Sequence, residues 1–235
     1  MSPPRILGPR EADGSHYKRA HGKPSYDAIL AARRKNKGGQ CRAYLERDHR
    51  TLRAKIAVRV WLLKRLQMTD VQVLDACSGA GYIWTEMEQY VNVRRWVRSD
   101  IKPRTDGAPG TVLKMSADQA VSSMDLNDFN VIDIDPYGEP WEAYRVILQR
   151  FQHLTAVFLT HGRTAYDVQD VTRDAMGIPR SWPIPQLPAV VDYITQRVLE
   201  DTHRWARIVD ACRYHVHATA GRSPVTYYGI GIASL

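Results

Sequence analysis

At 235 residues with a formal net charge of +8 at pH 7, the chain can build one α/β domain with its own core but not two full-sized ones. A mean hydropathy of −0.40 excludes a disordered chain, and no apolar run approaches the roughly 20 residues that span a bilayer. Cys41, Cys77 and Cys212 contain no C-x-x-C pair, which argues against a disulfide framework or a cysteine zinc site and fits a reducing, cytoplasmic compartment.

Charge divides the chain. Residues 1–65 carry a net +12 and the remainder −4. A basic segment on a mildly acidic domain suggests a polyanion partner, because each neutralised phosphate releases condensed counterions; a tail that serves only solubility is the alternative. Residues 1–24 hold four prolines and three glycines without periodicity. We therefore expect a basic arm over residues 1–40, carrying a short helix over 26–37, and a single domain over residues 41–235. There is no apolar h-region at the N-terminus to suggest a secretory leader.

From Cys41 to Leu66 the pattern is helical, with Leu45, Leu52, Ile56, Val60 and Leu63 forming an apolar stripe. Arg50, Arg53, Lys64 and Arg65 lie off it, free to face solvent or phosphate. Strands are predicted over Val71–Asp75, Trp96–Asp100, Val112–Met115, Val131–Asp135 and Thr155–Thr160. They alternate with helices over Ile83–Tyr90, Asp118–Met124, Pro140–Phe151 and Pro188–Ile208. Such alternation implies a parallel sheet covered by helices on both faces. Arg213–Thr219 and Val225–Ala233, parted by Ala220-Gly221-Arg222-Ser223-Pro224, read as an antiparallel hairpin. The long connection 162–187, rich in proline, leaves the fifth strand at the expected catalytic mouth, where it serves as a substrate-facing loop or as spare surface.

Four strand ends carry the chemistry. Asp75-Ala76-Cys77-Ser78-Gly79-Ala80-Gly81-Tyr82 is an acid, a glycine turn and a helix start; Gly79 and Gly81 allow close backbone approach to a ligand. A pyrophosphate site wants G-x-G-x-x-G, but Cys77 stands at the first glycine if Gly79 is the second, and Trp84 at the third if Gly79 and Gly81 are the first two. That disfavours a dinucleotide and leaves a cofactor such as S-adenosylmethionine. Asp100, followed by Ile101, ends the second strand where an acid can hold both ribose hydroxyls. Asp118 either accepts from an adenine amino group or caps its helix.

The fourth strand runs through Asp133 to Asp135-Pro136-Tyr137-Gly138. This turn aims a carboxylate, a carbonyl and a ring at the cleft, which suits a flipped-out base whose exocyclic amine is the methyl acceptor. Asp133 is either buried in mid-strand or at the cleft edge. Cys77 is read as packing and not as a nucleophile. His161 is read as a substrate contact or a plain satisfied histidine. His215 and His217 alternate on one strand face without an evident third ligand, so no metal is expected.

The stretches VLDACSGAGY, RSDIKP and FNVIDIDPYGEP, in that order and at that separation, resemble the tRNA guanine N2-methyltransferases over roughly residues 70 to 160. The D-P-Y-G turn is also similar to the D-P-P-Y turn of adenine and cytosine amino-methyltransferases, including DNA enzymes. The resemblance implies a Rossmann-like class I methyltransferase fold: a mostly parallel seven-stranded sheet with a C-terminal antiparallel hairpin. It also implies S-adenosyl-L-methionine as cofactor and a guanine amine as target. By position, Asp75, Cys77, Ser78, Gly79, Gly81 and Tyr82 would line the methionine part, Asp100 and Ile101 the ribose, Asp118 the adenine, and Asp135 to Gly138 the base. Two departures stand out: no additional C-terminal tRNA-binding domain is expected, and the fifth strand ends in Thr160-His161-Gly162. The leading expectation is a base amino-methyltransferase directed at RNA, with DNA as the second choice, gripping phosphate through its basic segment. A small-molecule methyltransferase and a non-catalytic nucleic-acid-binding module are the alternatives.

Overall fold

The computed structural model describes residues 42–102, 111–136, 139–162, 187–216 and 225–235. The expected arm over residues 1–40, the short helix within it and nearly all of the connection 162–187 lie outside the described residues. The elements are α1 (Arg42–Arg65), β1 (Asp70–Ala76), α2 (Tyr82–Met87), β2 (Asn92–Asp100), β3 (Thr111–Lys114), α3 (Ala117–Ser123), β4 (Val131–Ile134), α4 (Trp141–Arg150), β5 (Thr155–Gly162), α5 (Leu187–His203), β6 (Arg207–Val216) and β7 (Val225–Ala233).

They form one seven-stranded sheet in the order β3-β2-β1-β4-β5-β7-β6. β1 to β5 pair in parallel. The hairpin expected at the end is present, and β7 inserts antiparallel between β5 and β6, so β6 runs with the parallel strands. Residues alternate between two cores, as the two-residue strand period requires. On one face Leu74, Ile132, Ile134, Val157 and Ile230 pack with α3, α4 and α5 residues such as Val121, Tyr144, Ile147 and Val198. On the other, Val71, Val73, Val131, Phe158 and Tyr227 pack with Leu62 and Leu63 of α1 and with Trp84 and Met87 of α2. Each fully buried side chain of this size contributes about 1.5–3 kcal/mol through removal of apolar surface from water.

Several boundaries shift by a few residues from the sequence expectation, and three differences at element ends have a clear physical reason. The helix predicted over Pro188–Ile208 stops at His203, and Arg207–Cys212 is already strand. The turn between them is closed by the Trp205 and Ala206 amides, both donating to the Thr202 carbonyl. The run Ala206-Arg207-Ile208-Val209 continues an apolar helical period, so periodicity alone did not mark the change. β2 begins four residues early, at Asn92, because its first half is a polar edge with Arg94 and Arg95 exposed. Asp118 does not cap α3; Ser116 does, accepting from the Gln119 amide at 3.3 Å while the Gln119 side chain accepts from the Ser116 amide at 3.0 Å. This S-x-x-Q capping box leaves Asp118 exposed in the first turn.

α1 ends in a Schellman closure: Met68 N–H donates to Leu63 O and Gln67 N–H to Lys64 O, with Gln67 at φ 57°. That left-handed position normally takes glycine. The helix packs tightly on β7, where a Cβ on Gly229 would lie 3.0 Å from Cys212 Sγ, 3.1 Å from Val58 Cγ1 and 3.3 Å from Leu62 Cδ2. Gly229→Val should therefore lower the unfolding free energy by about 1–3 kcal/mol through overpacking. Urea denaturation checks this, and an unchanged midpoint would show that α1 can back away from the sheet.

Candidate active site

The site lies at the carboxyl ends of β1, β2 and β4, where strand order reverses about β1 and a crevice opens above an α/β sheet. β1 leaves the sheet through a turn with three positive φ values: Cys77 at 150°, Gly79 at 51° and Gly81 at 78°. Such a path is strained for a residue with a Cβ, so the turn needs fastening. β2 supplies it. Ser78 N–H donates to Ser99 O at 3.0 Å, Arg98 Nη2 to Gly79 O at 3.0 Å, and Gly79 N–H to Asp100 Oδ2 at 2.9 Å. Asp100 Oδ1 accepts from Lys102 N–H at 2.8 Å. A Cβ built on Gly79 would meet no atom within 4 Å, so the turn faces open space. Burial, then the charges of Asp135, Asp75 and Asp100, push the half-buried Cys77 thiol well above its ordinary range. A thiol raised in this way disfavours a thiolate at this position.

Below the turn a row of side chains crosses the sheet in register: Arg98 on β2, Asp75 on β1, Asp133 on β4 and Phe158 on β5. Asp133 is fully buried, which decides between its two sequence readings in favour of mid-strand burial. Three donors satisfy it: Arg59 Nε at 2.7 Å, Arg59 Nη2 at 2.5 Å and Trp84 Nε1 at 2.7 Å. Arg59 also donates to Lys55 O at 2.8 Å and lies 5.1 Å over the Phe158 ring. Its guanidinium is held above its ordinary value: burial would lower it, but Asp133 more than offsets that. Asp75, beside Asp133 and 3% exposed, accepts from Trp96 Nε1 at 3.3 Å. Burial and then the neighbouring Asp133 charge raise its carboxyl well above the usual range, against the pull of Arg59.

One step toward the cleft, Asp135 receives the Lys55 ammonium in an ion pair. Burial alone would raise the Asp135 carboxyl, but the Lys55 ammonium that is hydrogen-bonded to it, and then Arg59, hold it below its ordinary value. Lys55 and Arg59 are one helical turn apart, a rise of about 6 Å. Asp133 and Asp135 are two strand residues apart, about 6.6 Å, so one helix face matches two alternate acids. Sequence reading missed both cations. The stripe Leu52-Ile56-Val60-Leu63 is buried in the core, and the adjacent face with Lys55, Val58, Arg59, Leu62 and Leu66 meets the sheet as well. Arg53, Lys64 and Arg65 do face outward. The missed signal was two charges on an otherwise apolar helical face.

The remaining expected residues scatter more. Ile101 stands 63% exposed beyond Asp100. Ser78, Tyr82 and Pro136 are half-buried around the turn and the β4 end; Tyr137 and Gly138 lie outside the described residues. His161 does not face the cleft: it is fully buried, 3.8 Å from Glu139 and edge-on to Trp141 at 5.2 Å. His215 Nδ1 meets Thr226 Oγ1 at 2.8 Å, and His217 lies outside the described residues. Among the described residues no three His, Cys, Asp or Glu converge as metal ligands, and no helix is long and apolar enough to cross a membrane. A cavity of about 530 Å³ between Arg95, Trp96, Leu113, Met124 and Phe129 includes none of the turn residues in its lining.

Because the folded-state carboxyl of Asp75 is raised, the native chain keeps a proton that the unfolded chain has released above the ordinary carboxyl range. Stability linked to Asp75 is therefore lost as pH rises from about 4 toward its folded value. Relative to Asp75→Asn, the wild type should lose stability across that window by up to about 1.4 kcal/mol per pH unit. Urea denaturation from pH 4 to 8 measures this, and parallel curves for the two proteins would refute the assignment.

No protein-family model matches the chain, and no curated protein does. Solved structures resemble it at low identity. Trm1 from Pyrococcus horikoshii, in complex with S-adenosyl-L-methionine, matches at TM-score 0.55 and 16% identity over 78% of this chain and 56% of that one. The chain thus spans a little over half of that protein's length. A Lactococcus lactis protein provisionally named a hemolysin matches at TM-score 0.53 and 13% identity, covering 76% of this chain and 86% of that one. The N-methyltransferase NodS from Bradyrhizobium japonicum WM9 gives TM-score 0.45 and 12% identity over 82% and 98%. Together with the strand order, the first likeness shows that the chain has the Rossmann-like methyltransferase fold.

Proposed function

We propose that the chain is an S-adenosylmethionine-dependent methyltransferase that modifies an exocyclic amine of a nucleic-acid base, in RNA before DNA. The observation that carries this is the ionised Asp135 at the end of β4, across the crevice from the glycine turn and Asp100. The turn fits the cofactor on its own geometry: positive φ at Gly79 and Gly81, and open space where a Gly79 side chain would lie. In this reading the 77–82 turn and Asp75 border the methionine part, Asp100 and Ile101 the ribose, and Asp118 the adenine.

When bound, S-adenosylmethionine supplies a methyl carbon activated by a sulfonium. The chain's own residues do the rest. Asp135 accepts an N–H of the target amine, so that the nitrogen lone pair points at the methyl carbon, and Tyr137 stacks on the base. A preorganised anion also favours the positive charge that develops on the nitrogen. The D-P-Y-G resemblance supports a base amine as acceptor, and the +12 charge of residues 1–65 supports a phosphate-bearing partner.

Incubation with radiolabelled S-adenosylmethionine and separate tRNA, rRNA and DNA pools, followed by nucleoside identification, tests the reading. Label should appear in a base-methylated nucleoside of an RNA pool, in a yield that falls steeply with salt. Label confined to small molecules would defeat the nucleic-acid assignment. Asp100→Ala should weaken S-adenosylmethionine binding by about 1–3 kcal/mol in calorimetry; undiminished affinity would remove Asp100 from the cofactor site.

A further inference from the structure

Helix α1 presents two cations to β4, and they do different work. Arg59 is sealed in the core, bidentate to Asp133. Lys55 sits at the core's upper boundary, its side chain 19% exposed and that of Asp135 13%. Its ammonium makes its ion pair with Asp135 Oδ2 alone and lies 5.7 Å from the centre of the Tyr227 ring. Stability does not call for this pair: the desolvation of a partly buried ion pair offsets most of its attraction, and two apolar side chains of similar size would fill the space as well. The placement makes sense at the site instead, because Asp135 is the acid that ends β4.

Resting on the functional reading above, we propose that Lys55 is a positioning residue for methyl transfer. It fixes the Asp135 side chain by one oxygen, keeps it an anion and leaves its remaining lone pairs to the acceptor amine. Once the N–C bond has formed and the C–S electron pair has gone to sulfur, the cationic amine gives its proton to Asp135, which passes it to solvent. A protonated Asp135 would present a donor to a nitrogen that must offer its lone pair. The groups facing this carboxyl, among the described residues, are Lys55 and Arg59 from α1, Asp75 from β1, Cys77 from the turn, Asp133 from β4, Thr160 from β5 and, beneath Lys55, Tyr227 from β7. Burial works against ionisation of Asp135, while Lys55 and Arg59 favour it. Arg59 is already committed to Asp133, so Lys55 is the cation that tips the balance.

The test compares Lys55→Met, Lys55→Gln and Lys55→Arg in the full chain. Two quantities are read: the Asp135 carboxyl titration by carbon-13 NMR, assigned with Asp135→Asn, and the pH profile of methyl transfer to the nucleic-acid pool that accepts label. In the Met and Gln variants the titration and the acid limb of the profile should both move up by about one pH unit or more, and Lys55→Arg should restore both. A merely structural lysine would lower the rate at every pH without moving the limb, which overturns the proposal. So does an unmoved titration. Two charge-removing variants guard against one failing to fold. If the wild type methylates no base at all, the functional reading fails, and the Asp135 titration alone decides whether Lys55 sets its ionisation.

Discussion

The Asp133 carboxylate in the central strand is the constraint around which the molecule is arranged. A buried, unpaired carboxylate would cost several kcal/mol, so its strand position obliges the fold to bring donors to it. Arg59 comes from a helix 74 residues earlier and Trp84 from the helix after the glycine turn. One acid thereby joins α1, α2 and β4. Removing a single partner leaves the others charged in an apolar interior, which makes the network an all-or-none feature of the native state.

The crevice inherits its shape from that network. Trp84 sits three residues beyond Gly81, so the same contact that satisfies Asp133 fixes the helix to which the turn leads. On the other side, Arg98 and Asp100 of β2 hold the Gly79 peptide by its carbonyl and its amide. The turn's positive φ values are thus maintained from both flanks. Backbone strain at such a position persists only where the surroundings over-determine it, and here they do.

The features legible in the sequence were those with local signatures. β1, β4 and β5 are apolar runs ending in acids or turn residues, and the glycine turn and Asp100 stand at their expected strand ends. What escaped reading depends on partners far along the chain. Lys55 and Arg59 look like solvent-facing charges on a basic helix until Asp133 and Asp135 are brought beneath them. The start of β6 escaped because Ile208 and Val209 extend the helical period of α5. The Ser116 capping box was legible and overlooked, since Asp118, a good capping residue one position into the helix, drew attention away from the serine and glutamine that make the box.

The match between one helical turn and two strand residues also forbids slippage. If α1 slid one turn along the sheet, Arg59 would come to Asp135 and the apolar Leu62–Leu63 segment to Asp133, stranding a charge in the core. No intermediate docking exists, because a shift of one residue rotates the cations off the sheet altogether. The short connection from Leu66 to Thr69, closed by the Gln67 turn, is set to this docking. An insertion there cannot be taken up by gliding of the helix and must bulge outward as added loop.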